Sequence, residues 1–341
     1  MKVLLYSENM RFIKVSGLGR AIMHQKQALS ECGIEHTDKP SDDGWDVVHI
    51  NTYGLNSRRI AKKARKKGKA VVYHAHSTKE DFMDSFIGSN MFAGVFKKWI
   101  VSCYNLGDVI ITPTEYSKSL LEGYGITKPI FAVSNGVRLD FFKKRAADRE
   151  EFRKKFGYSD SDKVVIAVGL YLRRKGVLDF VELAKAMPDY KFIWFGKTPL
   201  FTVPHEIRKA VKTKLDNLCF AGYVQPDELK KAYAGCDAYI FPTHEETEGI
   251  VLLEALASKA PAIIRDIPAF SWLKDNEVYK AKDNEDFKHK IRALVEGELP
   301  SLADNGYNAV SDKDISLIGS QLINVYQTAQ KEAEKNKKSA K

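Results

Sequence analysis

Cysteine is scarce and scattered in this chain. Cys32, Cys103, Cys219 and Cys236 are the four among 341 residues, and no two form a CxxC pair. That spacing suits neither a disulfide framework nor a structural zinc site, and it points to a reducing, cytoplasmic compartment. Long apolar runs are missing too. None reaches the roughly 18 residues of a membrane-spanning helix, and MKVLLYSENM meets Glu8 too soon for a signal peptide, so neither a span nor export by that route is expected. With only 22 Gly and 11 Pro, collagen and global disorder are excluded. What remains is 44% hydrophobic and 29% charged, an ordinary folded chain whose length argues for about two domains at roughly 150 residues each.

Acidic charge is the minority: 44 Asp and Glu face 54 Lys and Arg, a net +10. Such a surface favours anionic partners, namely nucleic acid, phosphorylated ligands or anionic lipid, without choosing among them.

Short β-branched apolar runs alternate with helix-length intervals. KVLLY, DVVHI, AVVYH, DVIIT and PIFAV come first, then a charged interval from about Asp140 to Lys163, then VVIAVGL, KFIWFG, NLCFAG, AYIFPT and PAIIRD. Alternation of this kind predicts an α/β fold with two doubly wound parallel sheets. We expect a first domain over 1–139, a connector over 140–162, a second domain over 163–315, and a C-terminal helix over 316–341 that returns to the first domain and ends in a frayed polar tail. Ligands of doubly wound sheets sit beyond the carboxyl ends of the strands, so a cleft between two facing domains is the expected site.

Three strand ends carry chemistry. Ser16-Gly17-Leu18-Gly19-Arg20 follows the first strand and opens a helix, where backbone N–H groups can approach a phosphate. It lacks the third glycine of a dinucleotide fingerprint, which disfavours a nicotinamide enzyme. In PTHEETEGIVLLEALAS a strand ends at Pro242 and a helix starts near Gly249. Glu246 and Glu254 can face one ligand while Gly249, Ile250 and Val251 present N–H groups, a constellation suited to the hydroxyls and diphosphate of a sugar nucleotide. On the companion strand, GLYLRRKG places Arg173, Arg174 and Lys175 where a departing diphosphate gathers charge. An amphipathic helix with two solvated acids and a solvated basic turn explain each string taken alone; their coincidence in one sheet does not fit that plainer account as well.

His74 and His76 alternate at a strand end and should point to opposite sides, one of them into the cleft. No third metal ligand accompanies them and no Asp-x-Asp closes a strand of the second half, so no metal or other cofactor is expected. Residues 58–69, RRIAKKARKKGK, hold eight basic side chains and no acid. Arg58, Arg59, Lys62, Lys63, Arg65, Lys66 and Lys67 would make a cationic helix face for an anionic membrane. A second docking candidate is NMFAGVFKKWIVSCYN, whose stripe includes Trp99, although packing against the sheet explains that stripe equally well.

Taken together, the glycine loop, HAHS, SNGV, the K-G loop, FAGYV and the two-glutamate helix occur in the order of a known family. Over essentially its whole length the chain resembles the retaining glycosyltransferases of family 4, which have the GT-B fold of two Rossmann-like domains facing across a cleft. By that resemblance Glu246 touches the donor sugar, Glu254 holds the ribose hydroxyls and Lys175 meets the diphosphate. Gly222 to Val224 lie near the nucleobase, His76 near the reacting centre, and Gly17 and Gly19 over the phosphates. Leu170 stands where the family commonly has an arginine, which leaves that contact to Arg173 or Arg174. SGLGRAIMHQ, HINTYGL, HAHSTKEDFMDSF, FIWFG and EETEGIVLLEALAS narrow the likeness to bacterial glycolipid synthases of Gram-positive type that add a second hexose to monoglucosyldiacylglycerol.

The resemblance implies a metal-independent, retaining hexosyltransferase that uses a UDP-hexose, galactose or glucose, and a glycolipid acceptor. It would work peripherally on the cytoplasmic face of the cell membrane. A soluble family 4 enzyme making a polysaccharide or disaccharide is the alternative. A non-catalytic nucleic-acid-binding protein is a further one, disfavoured because no base-stacking aromatics interleave with the basic helix.

Overall fold

The computed structural model describes residues 1–13, 16–42 and 44–339. The chain divides into two units, one of Met1–Phe82, Met91–Val137 and Lys313–Lys341, the other of Met83–Asn90 and Arg138–Asp312.

The first unit is built on β1 (Lys2–Tyr6), β2 (Glu35–Thr37), β3 (Val47–Ile50), β4 (Ala70–His74), β5 (Val109–Thr112) and β6 (Ile130–Ala132), all parallel in the order β2-β1-β3-β4-β5-β6. The order reverses between β1 and β3, which makes that crevice the topological switch point. Strands β3, β4 and β5 are buried on both faces, as their unbroken apolar runs require. One face carries Ala61, Ala64, Ile100 and Tyr104. The other carries the C-terminal helix Ile315–Ser339, whose Ile318, Leu322, Val325, Tyr326, Ala329 and Ala333 recur at helical spacing over Val3, Leu5 and Val72. Gly319 lets that helix cross the helix Gly17–Glu31 closely, since a Cβ there would lie 2.5 Å from the Ala28 carbonyl oxygen. The helix continues through Ser339, so the polar stretch from Glu332 is helical where fraying was expected; the final two residues lie outside the described ones.

The second unit contains β7 (Lys163–Val168), β8 (Tyr190–Phe195), β9 (Leu218–Gly222), β10 (Ala238–Phe241), β11 (Ala262–Arg265) and β12 (Tyr279–Ala281), parallel in the order β12-β11-β10-β7-β8-β9. Its switch point lies between β7 and β10. Val165, Ala167, Phe192, Trp194 and Ile240 meet Phe180 and Leu183 of the helix Val177–Ala186 in its core. The interval read as a connector is part of this unit. Its helix Asp148–Phe156 seats Phe152 so tightly against Gly235 that a Cβ there would come within 2.4 Å. Arg149 and Arg153 both grip Asp237, at 2.9 and 2.6 Å.

Candidate active site

The switch point of the second sheet gathers the charged residues. After β7 the chain makes a turn of 3-10 helix over Arg173–Lys175 and leaves it through Gly176, whose φ of 77° suits glycine and whose Cβ would strike the Pro242 carbonyl oxygen at 2.3 Å. That close approach lays the loop after β7 against the loop after β10. The Arg174 carbonyl oxygen accepts from the His244 N–H (2.6 Å) and the Thr243 hydroxyl (3.0 Å). Across this seam Lys175 and Glu246 form an ion pair with a direct hydrogen bond. Glu246 is 6% exposed. Burial pushes its carboxyl up, but Lys175 first, then Arg174 and the Thr247 N–H, hold it below the usual carboxylate range.

Glu254 sits on the helix Ile250–Ala257, is 0% exposed, and accepts from the Tyr233 hydroxyl at 3.3 Å. Both glutamates act on one group. The hydroxyl of buried Tyr239 is raised well above its ordinary value by desolvation and then by Glu254 and Glu246. Lys175 Nζ stands 5.9 Å from the Phe241 ring centroid, and Gly249 (φ 83°) packs its Cα against the same ring. The helix begins at Ile250 with Gly249 as its cap, so the Gly249 carbonyl receives the Leu252 and Leu253 N–H groups while Ile250 and Val251 form the first turn.

Arg174 reaches Ser85 with Nε (2.8 Å) and the Glu245 carbonyl oxygen (3.3 Å), whereas Arg173 is half exposed and pairs loosely with Glu206 at 3.6 Å. Both line an open cavity of about 480 Å³ together with Asp84, Leu178, Asp179 and His244. Val224 follows β9 and is half-buried. Three glycines stand at the ends of three adjacent strands: the Gly196 N–H donates to the Gly222 carbonyl (2.7 Å), and a Cβ on Gly196 would lie 2.1 Å from the Gly169 carbonyl oxygen. The missing Cβ atom at Gly196 lets these strand ends pack closely, whereas at Gly222 a Cβ would meet nothing within 4 Å.

Several residues of this site went unread in the sequence. Arg265, 6% exposed, donates to Asp179 Oδ1 (2.8 Å) and to the Pro242 carbonyl oxygen (3.0 Å), and Asp179 Oδ2 lies 2.9 Å from His244 Nε2. This network clamps the seam from below the helix Val177–Ala186. Its pairs are 65 and 86 residues apart, a separation without a local signal. Buried Glu248, between the two glutamates, was also passed over; the string EETEG was its one visible mark.

The remaining expected residues lie in the first unit. Gly17 and Gly19 stand inside the first turn of their helix, and the Ser16 hydroxyl already accepts from the Gly19 N–H at 3.3 Å. His74 and His76 do not diverge. β4 ends at His74, and side chains two residues apart on an extended segment share a face, so the two rings stack at 3.8 Å and 10°. His76 Nε2 lies 2.8 Å from Asn51 Oδ1. Desolvation depresses the His76 ring to about 3. On the helix Leu55–Lys66 and its cap, Arg59, Lys62, Lys63, Arg65, Lys66 and Lys67 are exposed.

Arg58 and Trp99 are exceptions to the expected docking face. Arg58 lies 4.9 Å over the Trp99 ring and bonds Ser102 at 2.6 Å, and the Trp99 indole donates to the Tyr53 carbonyl at 2.8 Å. The apolar stripe of the helix Ser89–Tyr104 is two faces: Phe96, Trp99 and Ile100 pack inward while Met91, Phe92 and Val95 are exposed. Among the described residues no helix is long and apolar enough to cross a membrane, and no three His, Cys, Asp or Glu side chains gather in a metal-ligating group.

Two parallel-sheet Rossmann-like units have known counterparts. Residues 148–311 match the family of glycosyl transferases group 1, and residues 39–141 match Glycosyltransferase Family 4. The chain is similar to the processive diacylglycerol alpha-glucosyltransferase of Acholeplasma laidlawii, with 44% identity over 330 residues, 96% of this chain and 98% of that protein. It is more distantly similar to the alpha-galactosylglucosyldiacylglycerol synthase of Streptococcus pneumoniae, with 25% identity over 72% of this chain and 67% of that one. Among solved structures it resembles HepE of Anabaena, crystallised with UDP and glucose, at a TM-score of 0.77 and 15% identity over 96% of this chain and 100% of that one. The sucrose-phosphate synthase of Thermosynechococcus elongatus has the same TM-score and identity over 96% and 98%. The protein belongs to the group 1/family 4 glycosyltransferases, and its fold is GT-B.

Proposed function

We propose that this glycosyltransferase moves a hexose from a UDP-sugar to a hydroxyl of a diacylglycerol glycolipid, with retention at the anomeric carbon. The observation that carries the reading is the Lys175–Glu246 pair at the β7/β10 switch point, in a chain 44% identical to a diacylglycerol glucosyltransferase. Each charge holds the other in place in the free protein. When the donor arrives, the diphosphate takes Lys175 and a sugar hydroxyl takes Glu246, so neither side chain is reorganised at the moment of reaction. The bond from C1 to the diphosphate oxygen breaks, the bond from C1 to the acceptor oxygen forms on the same face, and the acceptor's proton passes to the departing diphosphate. Lys175, Arg174 and the N–H groups of Ile250 and Val251 bear the charge that builds there. Arg174, bonded within the seam, is the better substitute for the arginine missing at Leu170.

Glu254 would hold the ribose hydroxyls, and Val224, just past the end of β9, would meet the base. Gly17 and Gly19 would lie against the donor phosphates, and His76 would face the reacting centre. Docking on the inner face of the cell membrane would use Arg59, Lys62, Lys63, Arg65, Lys66 and Lys67, each contributing about 1 kcal/mol near an anionic leaflet, with Met91, Phe92 and Val95 supplying apolar contact in place of Trp99.

The deciding experiment incubates the protein with UDP-glucose or UDP-galactose and monoglucosyldiacylglycerol, then determines the sugar and anomeric configuration of the lipid product. An α-linked diglycosyldiacylglycerol is expected; a β-linked product ends the retaining mechanism, and absence of any lipid product ends the glycolipid reading. In a parallel sedimentation with phosphatidylglycerol vesicles, binding should fall as salt rises and on reversing Lys62 and Lys63 to Glu. Activity on a water-soluble saccharide with no vesicle binding would favour the soluble alternative.

A further inference from the structure

The first unit buries a row of neutral rings that the transfer reaction, beyond His76 itself, does not use. His49 Nδ1 lies 2.8 Å from the Tyr326 hydroxyl and His49 Nε2 lies 3.0 Å from His74 Nδ1. Gln25 Nε2 is 3.1 Å from the same His74 nitrogen and 2.9 Å from Asn51 Oδ1. Asn51 Oδ1 is in turn 2.8 Å from His76 Nε2. Gln25, His49, Asn51 and His74 are all at least 97% buried, so none of these bonds is exchanged for bulk water. Desolvation first, then the neighbouring rings, depresses His49 to about 3 and His74 well below its ordinary value, which leaves each ring neutral with one N–H and one lone pair.

Proton direction can be followed along this chain. Among the described residues His49 is the one partner of the Tyr326 hydroxyl, so the O–H donates to His49 Nδ1. The His49 proton is therefore on Nε2 and donates to His74 Nδ1, which puts the His74 proton on Nε2, an atom with no hydrogen-bond partner among the described residues. The one lone pair of His74 Nδ1 is shared between the His49 N–H and an N–H of the Gln25 amide, and the second N–H of that amide falls to Asn51 Oδ1. An accepting Asn51 oxygen requires a hydrogen on His76 Nε2. We propose that Tyr326, on the C-terminal helix, sets the tautomer of His76 through His49, His74, Gln25 and Asn51, placing the proton on Nε2 and the lone pair on Nδ1. Tyr326 is thus a positioning residue. A lone pair on Nδ1 accepts from a substrate hydroxyl, whereas the other tautomer would present a second donor there and leave that hydroxyl's hydrogen unpaired. The consequence for catalysis rests on the reading of His76 given above; the tautomer does not.

Long-range proton–nitrogen NMR on the full chain with nitrogen-15-labelled histidine reads the tautomers directly at neutral pH. His49, His74 and His76 should each carry the hydrogen on Nε2. Tyr326→Phe removes the one group that orients the row, so His49 and His76 should both become tautomer mixtures. If half the molecules then hold the wrong form, apparent substrate affinity falls about twofold. A wild-type His76 with its hydrogen on Nδ1, or a Tyr326→Phe protein in which His49 changes and His76 does not, overturns the proposal. Should Tyr326→Phe not fold, Gln25→Met severs the row without touching the helix. It should leave His49 on Nε2 and release His76, and an unchanged His76 would again overturn the idea. Full transfer activity in His76→Ala would instead remove the catalytic reading of His76 and leave the tautomer assignment standing.

Discussion

The two units use one architecture and finish it with opposite chemistry. At the strand ends of the second, opposite charges are buried against each other: Lys175 with Glu246, and Arg265 with Asp179. At the strand ends of the first, the buried polar groups are neutral imidazoles and amides joined by hydrogen bonds. A buried charge costs several kcal/mol unless paired, so ion pairs are worth their desolvation where a charged ligand is to be exchanged for the partner. Neutral donors and acceptors suit a site that orients hydroxyls. The contrast teaches that sheet topology fixes where chemistry sits, and the side chains at the switch point decide what kind.

Removing one charge of the seam should do most damage. Lys175→Ala or Glu246→Gln is expected to lower turnover by about 10²–10³-fold in a radiolabelled sugar-transfer assay, and activity near that of the unaltered enzyme would erase the contrast as far as catalysis goes. Asp179→Ala leaves Arg265 buried beside no carboxylate and should cost about 3–5 kcal/mol in urea unfolding. A loss below about 1 kcal/mol would mean that the clamp bears no weight.

Acid sharpens the comparison from the other side. The unfolded chain protonates its histidines near 6.5, while His49 and His76 resist protonation in the folded protein until about 3. The unfolded state therefore binds more protons over that window, and stability is lost as pH falls from about 6.5 toward 3, by up to about 1.4 kcal/mol per pH unit for each histidine. His49→Asn should flatten the slope; a slope identical in the variant would show that His49 does not contribute. The smallest effect belongs to Gly17→Ala. With open space around the position and the first helical turn already formed, stability should rise by up to about 1 kcal/mol. A fall in activity at raised stability would place the donor phosphates there, and unchanged activity would place them elsewhere.

Ten strands were legible because each is an apolar run long enough to be seen. β2 and β12 were not: Glu-His-Thr and Tyr-Lys-Ala hold no apolar run, whereas β6, equally short and half exposed, is Ile-Phe-Ala within PIFAV. The glutamate helix and the basic turn could be read locally, since their residues are neighbours in sequence. Arg265, Asp179 and His244 could not, because burial and pairing between distant residues are made by the fold. His74 and His76 misled because side chains two residues apart on an extended chain share a face rather than oppose each other, and Trp99 misled because helical spacing gives a stripe without saying which edge of it meets the core. The glycines at 169, 196 and 222 were a signal available all along, one at the end of each of three successive runs.

The helix Ile315–Ser339 completes the first unit's core although it is made after the second unit. During synthesis, at about 5–20 residues per second, residues 138–312 have all emerged before the segment that seals Leu5 and Val72 appears. The amino-terminal half must therefore wait, part of its interior uncovered, while the carboxyl-terminal half has everything it needs to settle. A nascent chain of this protein reverses the usual order of maturation, and truncation after Val137 would yield an open sheet prone to aggregate.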